Sequence, residues 1–155
     1  MSRIVACLAG LGSAALLLGA FYFQYGEGLA PCAMCIWQRY PHVLASALGI
    51  AVLFAPSTTM MIAGTLATVT TSAIGVFHTG VEQTWWDGPS TCTSGDITHL
   101  TPDELLDQIM NAPMVRCDEI VWAFGGISMA GWNAIISAVL ALVWIGALTM
   151  RVQGR

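Results

Sequence analysis

The chain has 155 residues, of which 56% are hydrophobic and 9% are charged. Soluble domains have about a quarter of their residues charged, so this composition excludes an ordinary water-soluble protein and predicts a membrane protein. The 5 basic and 9 acidic residues give a formal net charge of −4. The apolar composition predicts the lipid bilayer as a partner. A net negative charge does not attract nucleic acid, so we expect no nucleic acid among the partners.

Long stretches without Asp, Glu, Lys or Arg predict four membrane-spanning helices. Stretch 40–81 is about twice the roughly 20 residues that cross a hydrocarbon core, and Pro56 with its small polar neighbours predicts a tight turn inside it. The last span should begin after Gly125-Gly126, near Ser128 or Met129. The expected fold class is all-α, an integral membrane four-helix bundle forming a single domain, 1–155, with spans at about 4–26, 37–55, 59–81 and 128–150.

The first span has an alternative interpretation as a cleavable signal peptide, because Arg3 precedes its apolar run. A signal peptide has an apolar region of about 7–15 residues. The run in this chain is longer, which favours a permanent helix.

The few basic residues predict the orientation of the helices. Arg3, Arg151 and Arg155 flank the outer ends of the first and last spans, so the positive-inside rule places both termini in the cytoplasm. All 9 acidic residues fall in the opposite segments, 27–36 and 82–127, together with four cysteines. Those segments are expected to face the exterior, or the periplasm of a Gram-negative bacterium, where disulfides persist.

The larger external segment contains one recognisable element. Thr101 to Glu104 form a capping box with proline at the first helical position, and four apolar residues follow at helical spacing, Leu105, Leu106, Ile109 and Met110. This pattern predicts a short amphipathic helix in the second external loop. The helix could pack on the protein or lie in the bilayer interface, and the scarcity of other apolar surface favours the interface.

Cys32 and Cys35 form a C-x-x-C motif just before the second span. Proline is tolerated in the first helical turn, so Pro41 predicts that the regular helix begins near Trp37 to Arg39, with Cys35 just outside it. A thiolate at a helix N-terminus is stabilised by the exposed N–H groups and the dipole. Cys35 is therefore the better candidate for a stabilised thiolate.

Arg39 and His42 follow Cys35 at helical spacing, and His78 and Glu82 are spaced i,i+4 at the end of the third span. Arg39 could hold a thiolate or polarise an acceptor carbonyl, or it could be an interfacial arginine that reaches lipid head groups. His78 and Glu82 could be a proton relay or an ordinary interfacial hydrogen bond.

Cysteine usage permits three classes of function. A four-thiolate metal site is one, although zinc sites usually have two closely spaced pairs, whereas Cys92 and Cys117 lie 25 residues apart. Two structural disulfides are the second, although the loop of a C-x-x-C disulfide would constrain the unfolded chain little. The third, which we favour, is a redox relay that passes a disulfide from one pair to the other.

Residues 31 to 39, Pro-Cys-Ala-Met-Cys-Ile-Trp-Gln-Arg, resemble the P-C-x-x-C-x-x-x-R signature of the disulfide bond formation protein B (DsbB) family of bacterial inner-membrane thiol:quinone oxidoreductases. The resemblance runs nearly end to end, and His78-Thr-Gly-Val-Glu82 with the following Trp-Trp-Asp-Gly-Pro89 is similar to the end of the third helix in many members. The vitamin K epoxide reductase family shares the chemistry but orders its motifs differently.

The resemblance implies an enzyme that reoxidises a periplasmic DsbA-like thioredoxin-fold protein and reduces a membrane quinone, either ubiquinone or menaquinone. Its catalytic residues would be Cys32, Cys35, Cys92 and Cys117, with no metal. The partner would attack Cys92, the released Cys117 would attack Cys32, and the freed Cys35 would contact or add to the quinone. The residues expected to bind the quinone are Arg39, His42, His78 and Glu82. The alternative from another class is a structural or transport membrane protein with a four-cysteine metal site.

Overall fold

The computed structural model describes residues 1–89, 92, 101–103, 106, 110 and 115–154. Within them it has four long helices: α1 (Ser2–Tyr25), α2 (Ala33–Phe54), α3 (Thr58–Glu82) and α4 (Met129–Gln153). Each helix packs on two neighbours in the cyclic order α1, α2, α3, α4, and α1 barely contacts α3. The predicted all-α four-helix class is confirmed. The predicted amphipathic helix after Thr101 falls largely outside the described residues, and Arg155 falls wholly outside them.

Three of these helices, α1, α3 and α4, are long and apolar enough to cross a membrane. Helix α2 has 22 residues, but polar side chains in its first turns, such as Gln38 and Arg39, lower its mean hydropathy. Large apolar side chains cover the outside of the bundle, and Leu18, Leu66 and Leu142 are each more than 60% exposed, at 69%, 61% and 67%. Such a surface is stable in lipid and not in water.

Helix α2 begins earlier than the sequence predicted. Cys32 is its N-cap, Ala33 its first residue, and Pro41 lies inside the helix instead of in its first turn. A proline within a membrane helix is tolerated where neighbouring helices supply the missing hydrogen bonds. The hydroxyl of Thr71 in α3 donates to the Gln38 carbonyl of α2 at 3.1 Å, close to the proline. Cys35 therefore lies in the first helical turn, not outside the helix.

Two tight connections set the packing at the helix ends. Helices α2 and α3 are joined through 55–57, and Ser57 caps α3 by accepting the Thr59 N–H at 3.2 Å. Before α4, the strands β1 (Ala123–Phe124) and β2 (Ile127–Ser128) form an antiparallel hairpin around two glycines with positive φ, Gly125 and Gly126. Ser128 then caps α4 by accepting the Gly131 N–H at 3.2 Å. The predicted start of the last helix is confirmed, whereas the hairpin was not predicted.

Candidate redox site

The two cysteine pairs meet at one end of the bundle. Cys92 and Cys117 form a disulfide with a Cα–Cα distance of 5.3 Å. Cys32 and Cys35 are free, and their Sγ atoms lie 3.0 Å apart. Cys32 and both disulfide cysteines belong to one buried cluster, against which Cys35 packs. The fold therefore brings the C-x-x-C pair next to the loop disulfide.

The N-terminus of α2 makes the two sulfurs of the C-x-x-C motif unequal. Cys32 Sγ accepts the Cys35 N–H at 3.2 Å and donates its own proton towards Cys35 Sγ. This hydrogen bond to Cys35, followed by burial, raises the pKa of the Cys32 thiol above its usual range. Of the two sulfurs, Cys35 therefore gives up its proton more readily.

Both sulfurs of the loop disulfide are buried, with exposures of 1% for Cys92 and 0% for Cys117. Backbone hydrogen bonds hold the pair in place: the Cys117 N–H donates to the Cys92 carbonyl at 2.8 Å, and the Cys92 N–H donates to the Pro89 carbonyl at 2.9 Å.

An apolar cavity of about 450 Å³ opens beside Cys35. Its walls come from α1, α2 and α4, from His78 of α3, and from residues 29–31 and 121–124. Most of the lining side chains are apolar, including Leu16, Phe23, Trp122, Trp132 and Ile136. Four predicted site residues line it together: Cys35, Arg39, His42 and His78. Glu82, which the sequence grouped with them, does not line this cavity.

Arg39 turns towards α1 and lies at the cavity wall. Its guanidinium donates to Gln24 Oε1 at 2.5 Å and to the Ala20 carbonyl at 3.5 Å. It also lies over the Phe21 ring, 5.2 Å from the centroid. These contacts fix the guanidinium within the protein, one helical turn from Cys35.

A buried chain of hydrogen bonds connects the cysteines with the opposite wall of the cavity. His78 Nε2 lies 3.6 Å from Cys32 Sγ, and its Nδ1 accepts from the Gln38 amide at 3.0 Å. Gln38 Oε1 accepts from Asn133 Nδ2 at 2.6 Å, and Asn133 Oδ1 accepts from His42 Nε2 at 2.9 Å. Because the Gln38 amide donates to Nδ1, the His78 proton sits on Nε2 and faces Cys32.

The sequence did not predict two members of this series of hydrogen bonds, Gln38 and Asn133. Asn133 is a strongly polar residue in an otherwise apolar span, and such residues usually face the interior of a bundle. Gln38 sits inside the C-x-x-C-x-x-x-R motif, next to Arg39. Both signals were present in the sequence, but neither indicates which histidine each amide would contact.

Glu82 lies on the other side of His78. Its carboxylate accepts from the Ser128 hydroxyl, and its Oε1 lies 3.9 Å from His78 Nε2. It lines a second, much smaller space of about 30 Å³, bounded also by Cys32, Cys35 and Glu119. The predicted i,i+4 contact between His78 and Glu82 is confirmed, but it faces this crevice.

This combination defines a class of protein. A free buried dithiol touches a loop disulfide on one side and a largely apolar cavity on the other, inside a helical membrane bundle. Such a site suits a membrane thiol oxidoreductase with a hydrophobic electron acceptor. The disulfide between Cys92 and Cys117 leaves only two of the four cysteines as free thiols. This geometry does not provide the four thiolates of the alternative metal site.

Comparison with known proteins gives the family. The DsbB family, described as disulfide bond formation protein DsbB, matches residues 2–147. The chain is 31% identical to disulfide bond formation protein B of Polaromonas sp. (strain JS666 / ATCC BAA-500), with coverage of 100% of this chain and 95% of the relative. It is 33% identical to disulfide bond formation protein B of Pasteurella multocida (strain Pm70), with coverage of 87% and 82%.

The chain belongs to the DsbB family. It is accordingly a multi-pass protein of the bacterial inner membrane and a protein-dithiol:quinone oxidoreductase. The family reoxidises DsbA through cysteine pairs and quinone and so sustains disulfide formation in the periplasm.

Proposed function

We propose that two electrons enter this chain at the Cys92–Cys117 disulfide, pass to Cys32 and Cys35, and leave to a quinone in the cavity of about 450 Å³. The position of Cys35 carries this assignment. Cys35 contacts Cys32 at 3.0 Å, packs on the cluster that contains the disulfide, and lines the cavity. It is thus the sulfur that both the loop pair and an apolar acceptor can reach.

Two thiol–disulfide exchanges account for the transfer. A thiolate of a DsbA-type partner attacks Cys92, which forms a mixed disulfide and releases Cys117; the partner's second thiol then resolves it. In the oxidised form, in which Cys32 and Cys35 are a disulfide, Cys117 attacks Cys32, which forms a Cys32–Cys117 bond, breaks the Cys32–Cys35 bond and frees Cys35 as the leaving thiolate. Cys92 then attacks Cys117, which reforms the Cys92–Cys117 disulfide and releases Cys32 as a thiol; the free dithiol of this structure is the product. Each full exchange moves two electrons and leaves the donor pair as a disulfide. The charge-stabilising position of Cys35 at the start of α2 suits it as that leaving group.

The residues around the cavity fit a quinone, whether ubiquinone or menaquinone. A cavity of about 450 Å³ lies within the range of small-molecule sites, and its apolar walls match a hydrophobic ring and tail. Arg39 can donate to a carbonyl oxygen. His42 also lines the cavity, and among the described residues its buried Nδ1 has no hydrogen-bond partner. The bound quinone accepts the two electrons from the dithiol.

The chain's orientation follows from the same assignment. Residues 1–155 form a single membrane domain whose segments 27–36 and 82–127 face the periplasm. A DsbA-type partner with a thioredoxin fold is water-soluble, so it must meet the cysteines on that side. The distribution of the 9 acidic residues in those segments supports this orientation.

A trapping experiment tests the direction of electron flow. Replacing Cys117 with alanine leaves Cys92 as a lone thiol. A partner whose second cysteine is alanine and whose first cysteine carries an aryl mixed disulfide should then react with Cys92, release the aryl thiol and accumulate as a mixed disulfide that no second thiol can reverse. Non-reducing gels followed by peptide mapping would identify the linked cysteine. Cys7→Ala is the control, because Cys7 lies in α1 away from both pairs. An adduct through Cys32 alone would contradict the proposal.

A further inference from the structure

The small crevice beside the cysteines connects the buried dithiol with charged residues near the outer surface. Cys35 and His78 line both the crevice and the large cavity, whereas Glu82 and Arg116 line only the crevice. Its volume of about 30 Å³ is sufficient for a water molecule, and its polar side chains could hold one in place. The crevice thus connects these charged residues with Cys35, the same cysteine that lines the apolar cavity.

Exposure falls steadily along this route. The side chains of Glu119 and Arg116 are 63% and 42% exposed, while those of Glu82 and His78 are 6% and 4% exposed. Arg116 forms ion pairs with Asp118 at 2.5 Å and with Glu119 at 3.5 Å. Glu82 has Ser128 on one side and His78 on the other.

His78 stands between the carboxylate and the dithiol. Its Nε2 lies 3.9 Å from Glu82 Oε1 and 3.6 Å from Cys32 Sγ. The charged and titratable groups near this ring are Cys32 and Cys35 from α2, Glu82 from its own helix, and Arg116 and Glu119 from the segment before β1. Both neighbours meet Nε2, so the ring passes a proton once the Gln38 amide turns its oxygen towards Nδ1 and the ring proton moves to that nitrogen. Nε2 can then take a proton from Glu82 and give it to the dithiol.

The opposite side of the membrane offers no comparable route. The stretches 4–26, 43–77 and 129–150 contain no Asp, Glu, Lys, Arg or His. Helices α1 and α2 are also in close backbone contact in that half, since a Cβ built on Gly10 would lie 2.7 Å from Gly49 Cα. The carboxylate and imidazole groups near the dithiol therefore lie on the side that carries the cysteines.

We propose that Glu82 and His78 carry protons from the outer surface through this crevice to the buried dithiol, so that quinone reduction moves no net charge across the membrane. This inference rests on the proposed function. Transfer of two electrons from Cys92 and Cys117 to the Cys32–Cys35 disulfide requires two protons to follow them. The Cys32 and Cys35 dithiol then gives two electrons and two protons to the quinone and becomes a disulfide again.

Proteoliposomes can test the side of proton uptake. Full-length protein would be reconstituted with quinone, reduced DsbA-type partner would be added outside, and a pH dye would be trapped in the lumen. Protons released by the partner outside are taken up again outside, so we expect no change in lumen pH. Imposing 100 mV with a potassium gradient and valinomycin should leave the rate unchanged within about twofold.

Uptake from the lumen would give a different result. The lumen would become alkaline by two protons per quinol formed. Moving one charge across the full membrane against 100 mV corresponds to about a fiftyfold change in an equilibrium constant, or about 2.3 kcal/mol. Alkalinisation of the lumen, or a rate that changes strongly with the imposed potential, would overturn the inference while leaving the cysteine relay intact. Absence of any quinone reduction by wild-type protein would instead contradict the proposed function.

Substitution of Glu82 tests the route itself. Glu82→Gln keeps the contact with Ser128 but cannot carry a proton, so we expect quinol formation at saturating quinone to slow about tenfold or more, with a larger solvent isotope effect. Quinone KM and the trapping of Cys92 by the partner should not change, and Glu82→Asp should restore part of the rate. An infrared difference spectrum between dithiol and disulfide protein, recorded without quinone, should lose a carboxyl band in Glu82→Gln.

Glu27→Gln is the matched control, because Glu27 pairs with Tyr22 outside the crevice. We expect wild-type rates and an unchanged infrared spectrum for this variant. A Glu82→Gln protein with a wild-type rate and isotope effect would contradict the proton route. A change in quinone KM alone would place Glu82 at the quinone and would equally overturn the inference.

Discussion

The two ends of the bundle differ in the residues that form them. We call the end that carries the four paired cysteines the outer end and the opposite end the inner end. At the inner end, small and apolar residues pack without charge in a buried cluster, Ala6, Ala9, Val52, Met61, Trp144 and Ala147. At the outer end, the same four helices separate enough to form a cavity of about 450 Å³ and enclose polar side chains such as Gln38, His42 and His78. The comparison indicates that the inner end supplies stability and the outer end supplies chemistry.

Glycines explain why the inner end packs so closely. A Cβ on Gly49 would lie 2.6 Å from Gly10 Cα, and a Cβ on Gly64 would lie 2.6 Å from the Trp144 ring. Small residues allow membrane helices to approach, and van der Waals packing then holds them together, because lipid supplies little hydrophobic driving force. At the outer end, hydrogen bonds and the disulfide perform part of this role.

The strongest expected loss of function comes from Cys35. Cys35→Ala should abolish partner-dependent quinone reduction, because no other cysteine lines the large cavity among the described residues. The melting temperature should change little, since Cys35 is only partly buried and the inner cluster is untouched. Quinone spectroscopy and thermal unfolding in detergent measure the two effects. Retained quinone reduction would remove Cys35 from the proposed electron route.

At the inner end, a substitution is expected to lower stability and to leave the chemistry unchanged. Gly49→Leu should lower the free energy of unfolding by up to about 3 kcal/mol, the upper range for overpacking, because the new side chain meets the backbone of α1. Quinone KM in the folded fraction should stay close to wild type. Unfolding followed in detergent would measure the loss.

Gly146→Leu is the control for that substitution, because a Cβ on Gly146 of α4 meets nothing within 4 Å. It should be neutral or slightly stabilising, since leucine is the better helix former. Equal destabilisation by both variants would indicate that close packing of α1 on α2 is not what stabilises the inner end.

Arg39 should affect chemistry but not stability. Only the guanidinium combines the contact with Gln24 at 2.5 Å and stacking on Phe21 with further donors for a quinone carbonyl. Arg39→Lys should therefore insert and fold normally but raise the quinone KM or slow quinone reduction about ten- to hundredfold, equivalent to about 1.5–3 kcal/mol. Exchange between the partner and Cys92 should not change. Wild-type quinone kinetics would support the alternative of a simple interfacial arginine.

Much of the architecture was predictable because membrane crossing imposes strong sequence constraints. Uncharged stretches and the turn residues around Pro56 gave the helix number, and Ser128 marked the start of α4. Helical spacing alone placed Cys35, Arg39 and His42 on one wall of the cavity. These features depend on local sequence, which a single chain records directly.

Other features depend on contacts between helices and could not be predicted. The early start of α2 places Pro41 inside the helix, at a turn that packs on α3, where the Thr71 hydroxyl donates to the Gln38 carbonyl. Glu82 follows His78 by one turn, yet the position of Ser128 draws it away from the large cavity. The burial of Cys92 likewise reflects packing against residues distant in sequence.

The smallest expected effect concerns Asn133, which orients the outer end without touching a sulfur. Its Nδ2 donates to Gln38 Oε1 at 2.6 Å, which directs the Gln38 NH₂ group to His78 Nδ1. Asn133→Leu should cost about 0.6–1.7 kcal/mol of stability, the range for hydrogen bonds between membrane helices, and slow quinone reduction only a few-fold.

A spectroscopic readout distinguishes orientation of His78 from simple packing at Asn133. Without Asn133, only the bond from Gln38 Nε2 to the Met34 carbonyl, at 3.3 Å, opposes rotation of the amide away from His78. The His78 proton should then distribute between Nδ1 and Nε2, which ¹⁵N NMR of the imidazole detects. Thr70→Val is the control, since the Thr70 hydroxyl bonds only to its own helix, at the Leu66 carbonyl. That variant should leave both stability and the His78 tautomer unchanged. If Asn133→Leu keeps His78 protonated on Nε2, then the tautomer is set by the groups near Cys32, and the buried amide chain serves packing between α2 and α4.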